Sequence, residues 1–251
     1  MNEAMSAEFG TVAEWTAQMA NALGPSYYIP AACRGSGTPA ALDWLIGHLD
    51  LKAGEAFLDC GAGVGGPAAY AVQMRSVQPV LVEPEAGACR AARALFGYPV
   101  LQAAASALPL ADEIFDAAWS LGVLCTVRSQ LALLTELRRV VRHPGRIGLL
   151  VLVARAALTG EQPDGNHFPT VESLEGLVDN AGLRIESWCG TSALAPAPQD
   201  WQRRVHTVSD RLAARHGRHR AWQLAEHQSD LIAGLLADSV VTGELLTLLR
   251  R

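Results

Sequence analysis

Lysine is almost missing from this chain: Lys52 is the single one among 251 residues, and the other 19 basic side chains are arginines. A nucleotide P-loop requires Gly-Lys-Ser/Thr, whereas Lys52 stands in Leu-Lys-Ala, so that phosphate cradle is excluded. Schiff-base chemistry would have to rest on Lys52, in an apparent surface turn. Charge of either sign is scarce, at 18%, against 50% hydrophobic residues, which excludes a disordered chain. The net charge of −5 and a pI of about 5.8 argue against nucleic acid or an anionic membrane as partner. No Cys-x-x-Cys occurs among Cys33, Cys60, Cys89, Cys125 and Cys189, which read as reduced, mostly buried thiols of a cytoplasmic protein. Long apolar runs are missing too. The longest, Ile147 to Ala154, is too short to cross a bilayer, and the polar N-terminus has no signal-peptide core.

Ahead of residue 37, Val12, Trp15, Met19 and Leu23 recur at helical spacing, predicting an amphipathic helix over 11–24 that Gly24-Pro25 ends. Residues 26–37 read as a loop and 38–49 as a second helix. Strands and helices then alternate. Strands fall at 56–59, 80–83, 99–102, 114–121, 147–154 and 183–189; helices fall at 66–74, 85–96, 130–141 and 170–181. Arg142-His143-Pro144-Gly145 reads as the stop of the third of these helices. Repeated β-α units predict a mostly parallel sheet with right-handed crossovers and helices on both faces. After an Ala193–Pro198 linker, 200–216 and 219–237 read as polar-faced helices and 243–249 as a last strand. Ligands of open α/β sheets bind beyond the carboxyl ends of the strands. The late helix pair is therefore either a lid over that edge or plain packing.

The segment that carries chemistry is Phe57-Leu58-Asp59-Cys60-Gly61-Ala62-Gly63-Val64-Gly65-Gly66-Pro67, which follows a strand and opens a helix. Glycines let the backbone turn tightly and lie against a ligand. Gly61-x-Gly63-x-x-Gly66 also fits a dinucleotide fingerprint, so three further features separate the readings. Asp59 at the strand end suits a cationic ligand and repels a pyrophosphate. Glu83 ends the next strand, where a carboxylate can accept both hydroxyls of a ribose. Ala107-Leu108-Pro109-Leu110 and then the run from Ile114 to Leu124 follow downstream.

In these motifs the chain resembles the class I S-adenosylmethionine-dependent methyltransferases, in the branch of ubiquinone/menaquinone-biosynthesis and natural-product enzymes. The likeness covers about residues 37–189 and reaches the remainder only by architecture. It implies a Rossmann-like three-layer α/β sandwich, a seven-stranded mostly parallel sheet of order 3-2-1-4-5-7-6, and a helical lid. One domain is expected: an N-terminal helix and cofactor-covering loop (1–36), a cofactor core (37–189), a lid (190–240) and a last strand (241–251). S-adenosyl-L-methionine is the implied cofactor, S-adenosyl-L-homocysteine its product, and a small organic molecule the acceptor, in secondary metabolism by analogy. Carried over by position, Asp59, Gly61, Ala62 and Gly63 would hold the methionine moiety, Glu83 the ribose and Pro84 the adenine. Leu121, in Ser120-Leu121-Gly122, would line the pocket below the methyl group. Relatives commonly place an aspartate four residues before the Leu-Pro; here that position is Ala104, leaving Ala105 and Ser106 to meet the adenine amine. An unmet buried amine costs about 1–3 kcal/mol, which a bridging water reduces.

In-line transfer from a sulfonium demands alignment more than a base. If a base is used, His167 in the loop after the fifth strand is the first candidate, against a plain surface histidine. Arg34 and Tyr28, with Ser36 nearby, would cover the cofactor, and Tyr27, Trp201 and His206 would meet substrate. The run from His216 to Arg220 resembles a metal cluster, but its arginines repel a cation, and it reads as a charged turn with no metal. Two other functions stay open: a methyltransferase-like protein that binds the cofactor without methyl transfer, such as a cyclase, and an NAD-dependent oxidoreductase.

Overall fold

A computed structural model describes residues 3–35 and 37–251; Ser36 lies outside the described residues. Helix α1 (Glu3–Ser6) runs through a π-helical segment (Ala7–Val12) into α2 (Ala13–Leu23). Then come α3 (Tyr28–Ala32), α4 (Pro39–His48), β1 (Ala56–Cys60), α5 (Gly66–Arg75), β2 (Gln78–Glu83), α6 (Ala86–Phe96) and β3 (Val100–Gln102). The second half holds β4 (Phe115–Leu121), α7 (Gln130–Val140), β5 (Val141–Ala154), α8 (Val171–Asn180), β6 (Leu183–Gly190), α9 (Gln199–His216), α10 (Arg220–Ala237) and β7 (Val241–Arg250).

The seven strands form one sheet in the order β3-β2-β1-β4-β5-β7-β6, the expected order. Strand β7 runs antiparallel between β5 and β6, and the other pairings are parallel. Helices cover both faces, which is why β5 is apolar from Ile147 to Ala154. On one face Leu133, Leu134 and Leu137 of α7 and Leu174 and Val178 of α8 pack on the strands. On the other, Leu42, Leu45 and Ile46 of α4 meet Phe57 and Trp119, whose rings cross edge-on at 4.8 Å. The α8 start carries the expected Thr170 cap, completed by Ser173 into a reciprocal capping box. Among the described residues no helix is long and apolar enough to cross a membrane.

Three local expectations need correction. The loop expected over 26–37 contains α3, because a short 3-10 turn started by Pro25 leads into Ala31-Ala32 packed on the start of α5. The packing is close: a Cβ at Gly66 would lie 2.4 Å from the Ala32 carbonyl carbon. The N-terminal helix begins at Glu3 rather than residue 11, through the π segment. Residues 142–145 do follow the end of α7 at Val140, but they lie in a strand that starts at Val141 and not at Ile147. They belong to β5 and bulge out between the pairs Phe115↔Val141 and Ala117↔Arg146, where Arg142 binds Asp116 at 2.9 Å.

The late helix pair packs on the N-terminal helices: α9 on α2 and α3, α10 on α1 and the π segment. Trp15 stacks on His216 at 3.8 Å and meets His219 edge-on, so the charged turn between α9 and α10 serves as a packing surface.

Candidate functional site

The site grows out of the β1–α5 turn. Gly61 and Gly63 have φ of +80° and +54°, a backbone region that favours glycine. A Cβ on Gly61 would also lie 2.2 Å from Val123 Cγ2, whereas one on Gly63 would enter open space. That open space is cavity, so the turn leaves a cradle where a ligand can lie against main chain. The Gly61 and Ala62 N–H groups donate to the Val82 carbonyl at 2.7 and 3.1 Å, which straps the turn to the end of β2.

Glu83 closes that strand end. It is 5% exposed, and its oxygens accept from Gly63 N–H and Glu85 N–H, each at 2.9 Å. Burial raises its pKa, and those two N–H donors pull it back. An ionised carboxylate offers about four lone-pair directions, so two remain for hydroxyls of a ligand. Asp59 lies deeper, 1% exposed, with Oδ2 unpaired by any hydrogen bond. Burial raises its pKa to about 7, helped by the Glu83 charge and opposed by the Trp119 indole and the Ala68 N–H. A desolvated carboxylate with one oxygen unpaired, beneath a glycine turn, fits a cationic ligand above it.

A cavity of about 500 Å³ opens from this turn. Of the expected cofactor residues, Gly61, Gly63, Glu83, Pro84, Ala105, Ser106, Leu121 and Arg34 line it, as does Ala104. Three do not. Asp59 sits one layer beneath the wall, and Ala62 is buried with its N–H already used by Val82. Tyr28 faces Asn21, to which its hydroxyl donates at 2.7 Å, and packs edge-on against Phe96. Arg34 turns its guanidinium to the late helices, donating to Ser229 Oγ at 3.3 Å and lying 5.9 Å from the Trp222 ring centroid.

The residues expected on the acceptor side are elsewhere. Tyr27 packs into the α2–α9 cluster, Trp201 lies edge-on to Tyr70 at 6.2 Å, and His206 is exposed on α9. The His167 ring is also off the cavity wall; its main chain is tied by N–H to Cys125 O at 2.6 Å and by O to Gln130 Nε2 at 2.7 Å. Its loop instead sends Asp164 and Asn166 to the wall. Sequence reading missed these two, as well as Glu8 and Phe9 of the π segment and Gln228, Ile232 and Leu236 of α10. For α10 a signal exists: Gln228 falls on the same stripe as the buried Ala221, Trp222 and Ala225, so a polar group occupies a helix's apolar face. Glu8 is drawn out of water, which raises its pKa, while the Arg34 charge lowers it. Cys125 also lines the cavity, but burial pushes its thiol up to about 11, so it is no thiolate nucleophile.

Comparison with known proteins bears on this geometry. Residues 58–149 match a family described as a methyltransferase domain. Methyltransferase GfsG of Streptomyces halstedii is 29% identical over 158 residues, 56% of this chain and 57% of that protein. The chain therefore spans a little over half the length of that relative. Among solved structures, the [4+2]-cyclase SpnF is similar with a TM-score of 0.65 and 23% identity, over 83% of this chain and 79% of that one. The cyclopropane synthase MmaA2 of Mycobacterium tuberculosis gives 0.69 and 16%, over 84% and 83%. The two solved structures share the fold. Together with the strand order, the match over residues 58–149 shows a methyltransferase domain within this chain, carried on a Rossmann-like fold.

Proposed function

We propose that the chain transfers a methyl group from S-adenosylmethionine to a small organic acceptor, in small-molecule biosynthesis. The observation that carries this reading is the continuity of one cavity. It runs from the Gly61–Gly63 turn and Glu83 to an apolar chamber under α10. The cofactor would supply an electrophilic methyl on a sulfonium. Glu83 would hold the ribose hydroxyls, the main chain at Gly63 would admit close approach, and Ala105 and Ser106 would border the adenine. Asp59 would favour the positive charge from below without touching the ligand. Apolar side chains such as Leu121, Val123 and Leu152 keep water out, which suits a transfer that dissipates charge on sulfur.

A second reading keeps the cofactor and drops the methyl transfer; Ala104 at the cavity wall, in place of a carboxylate, favours it. Calorimetry with S-adenosylhomocysteine, followed by a mass-spectrometric search for an acceptor gaining one methylene, separates the two. Binding with a methylated product supports the proposal. Binding with an isomerised product favours the second reading. Stabilisation by NAD and not by S-adenosylhomocysteine would sink both.

A further inference from the structure

The geometry points to Gln228 as the group that binds the acceptor, through its amide N–H to an uncharged oxygen on an otherwise apolar molecule. This rests on the reading of the cavity as a methyltransferase site. Gln228 is 7% exposed and sits on the face of α10 that looks into the cavity. Its Oε1 accepts the Asp164 main-chain N–H at 2.6 Å. A main-chain N–H can pair only with the oxygen of a carboxamide, so the orientation of the amide is set by its partner rather than assigned. The –NH2 end then has no partner among the described residues. A donor on a nine-tenths-buried side chain that faces a cavity without a protein partner calls for an explanation. A ligand oxygen supplies it.

The surroundings define the rest of that ligand. Leu150, Leu152, Val127, Ile232 and Leu236 give the chamber apolar walls, which require an apolar body. Glu8, Glu83, Glu85 and Asp164 outnumber Arg34 along the lining, so an anionic acceptor is repelled. A ketone, ether or alcohol oxygen on a hydrocarbon frame meets both conditions. The Asp164 bond has a second effect: it ties the loop after β5 to α10, so the same side chain closes the chamber and reads what is in it.

The test uses the full chain and two probes of equal shape, decan-2-one and 2-methyldec-1-ene, which differ in an oxygen against a methylene. Binding is measured with and without S-adenosylhomocysteine, in wild type, Gln228→Glu and Gln228→Leu. Gln228→Glu keeps an oxygen for Asp164 and removes the donor. Measured at a pH where the carboxyl is ionised, it should weaken ketone binding about tenfold and alkene binding less than about threefold, leave S-adenosylhomocysteine affinity unchanged, and lower Tm through the buried charge. Gln228→Leu should weaken the ketone similarly and lower Tm as well, because the loop is released. Equal losses for both probes in Gln228→Glu, or no loss for either, would overturn the assignment. Failure of wild type to bind S-adenosylhomocysteine would overturn the methyltransferase reading instead, while the ketone-to-alkene ratio would still judge Gln228.

Discussion

The two ends of the cavity are built by opposite means. At the cofactor end, one continuous stretch from β1 to β2 supplies the wall, using backbone at Gly61 and Gly63 and a carboxylate at Glu83 pinned by two main-chain donors. At the acceptor end, segments far apart in the chain meet: the π segment near Glu8, the loop at Asp164 and α10 at Gln228. The first end presents main chain and one carboxylate pinned by main-chain donors. The second binds with side chains on peripheral elements, where substitution changes the pocket without disturbing the sheet. A fold that keeps one cofactor and changes acceptors is free to vary in just that second region.

The largest effect is expected from breaking the cofactor end at Glu83. Glu83→Ala would remove the two charged hydrogen bonds proposed for the ribose, and leaves Gly63 and Glu85 N–H without their acceptor. Affinity for S-adenosylhomocysteine should fall by about 3–5 kcal/mol in calorimetry. Near-normal affinity would show that the ribose lies elsewhere.

Asp59→Asn tests the same end through pH. Burial raises the Asp59 carboxyl from 3.8 to about 7, so the folded protein keeps a proton that the unfolded chain has already released. Stability from this group is complete below about pH 4, declines as pH rises towards 7, and stays lost above it. At pH 8 the asparagine variant should therefore exceed wild type by roughly 2–4 kcal/mol without ligand, with equality near pH 4. Its S-adenosylmethionine affinity should fall, because the charge facing the sulfonium is gone. Denaturant titration at the two pH values decides the first statement; identical pH profiles would disprove it.

Smaller effects separate backbone that serves ligand from backbone that serves packing. Gly63→Ala places its Cβ in the cavity and should weaken S-adenosylhomocysteine with a stability loss of about 1 kcal/mol from the positive φ. Gly61→Ala meets Val123 as well, so its loss in Tm should be the greater of the two. The reverse order in Tm would contradict the cradle geometry.

The contrast between the ends explains what could be read in advance. The alternation of strands and helices and the Asp59–Glu83 region were legible because apolar strands and a glycine turn are local patterns, whereas the strand order came with the family resemblance. The start at Glu3 was not, since a π segment has no simple period, and α3 hid behind Pro25 and Pro30. Residues 142–145 carry Pro and Gly in a bulge, which mimics a turn. The acceptor end was the least legible. Histidine and aromatic residues drew attention by type, yet Tyr27, Trp201 and His206 are spent on packing or solvent. Gln228 was marked only by standing on an apolar stripe.

His167 is where the smallest effect is expected. Its residue type and its loop suggest a general base, and removal of a working base costs about 10²–10⁴ in turnover, whereas the wall geometry allows less than about threefold. The ring is off the cavity wall, and the two bonds that fix this residue use its main-chain N–H and carbonyl. Alanine keeps both. His167→Ala should therefore retain S-adenosylhomocysteine affinity, Tm and most of the methyl transfer to whichever acceptor is found. Because Gln228 binds by side chain and His167 is held by backbone, the same substrate should register Gln228→Glu strongly and His167→Ala hardly at all. A large loss at His167 with an intact fold would mean that the loop moves on binding and turns the imidazole inward. The acceptor end would then be completed by its ligand, in contrast to a cofactor end already formed without one.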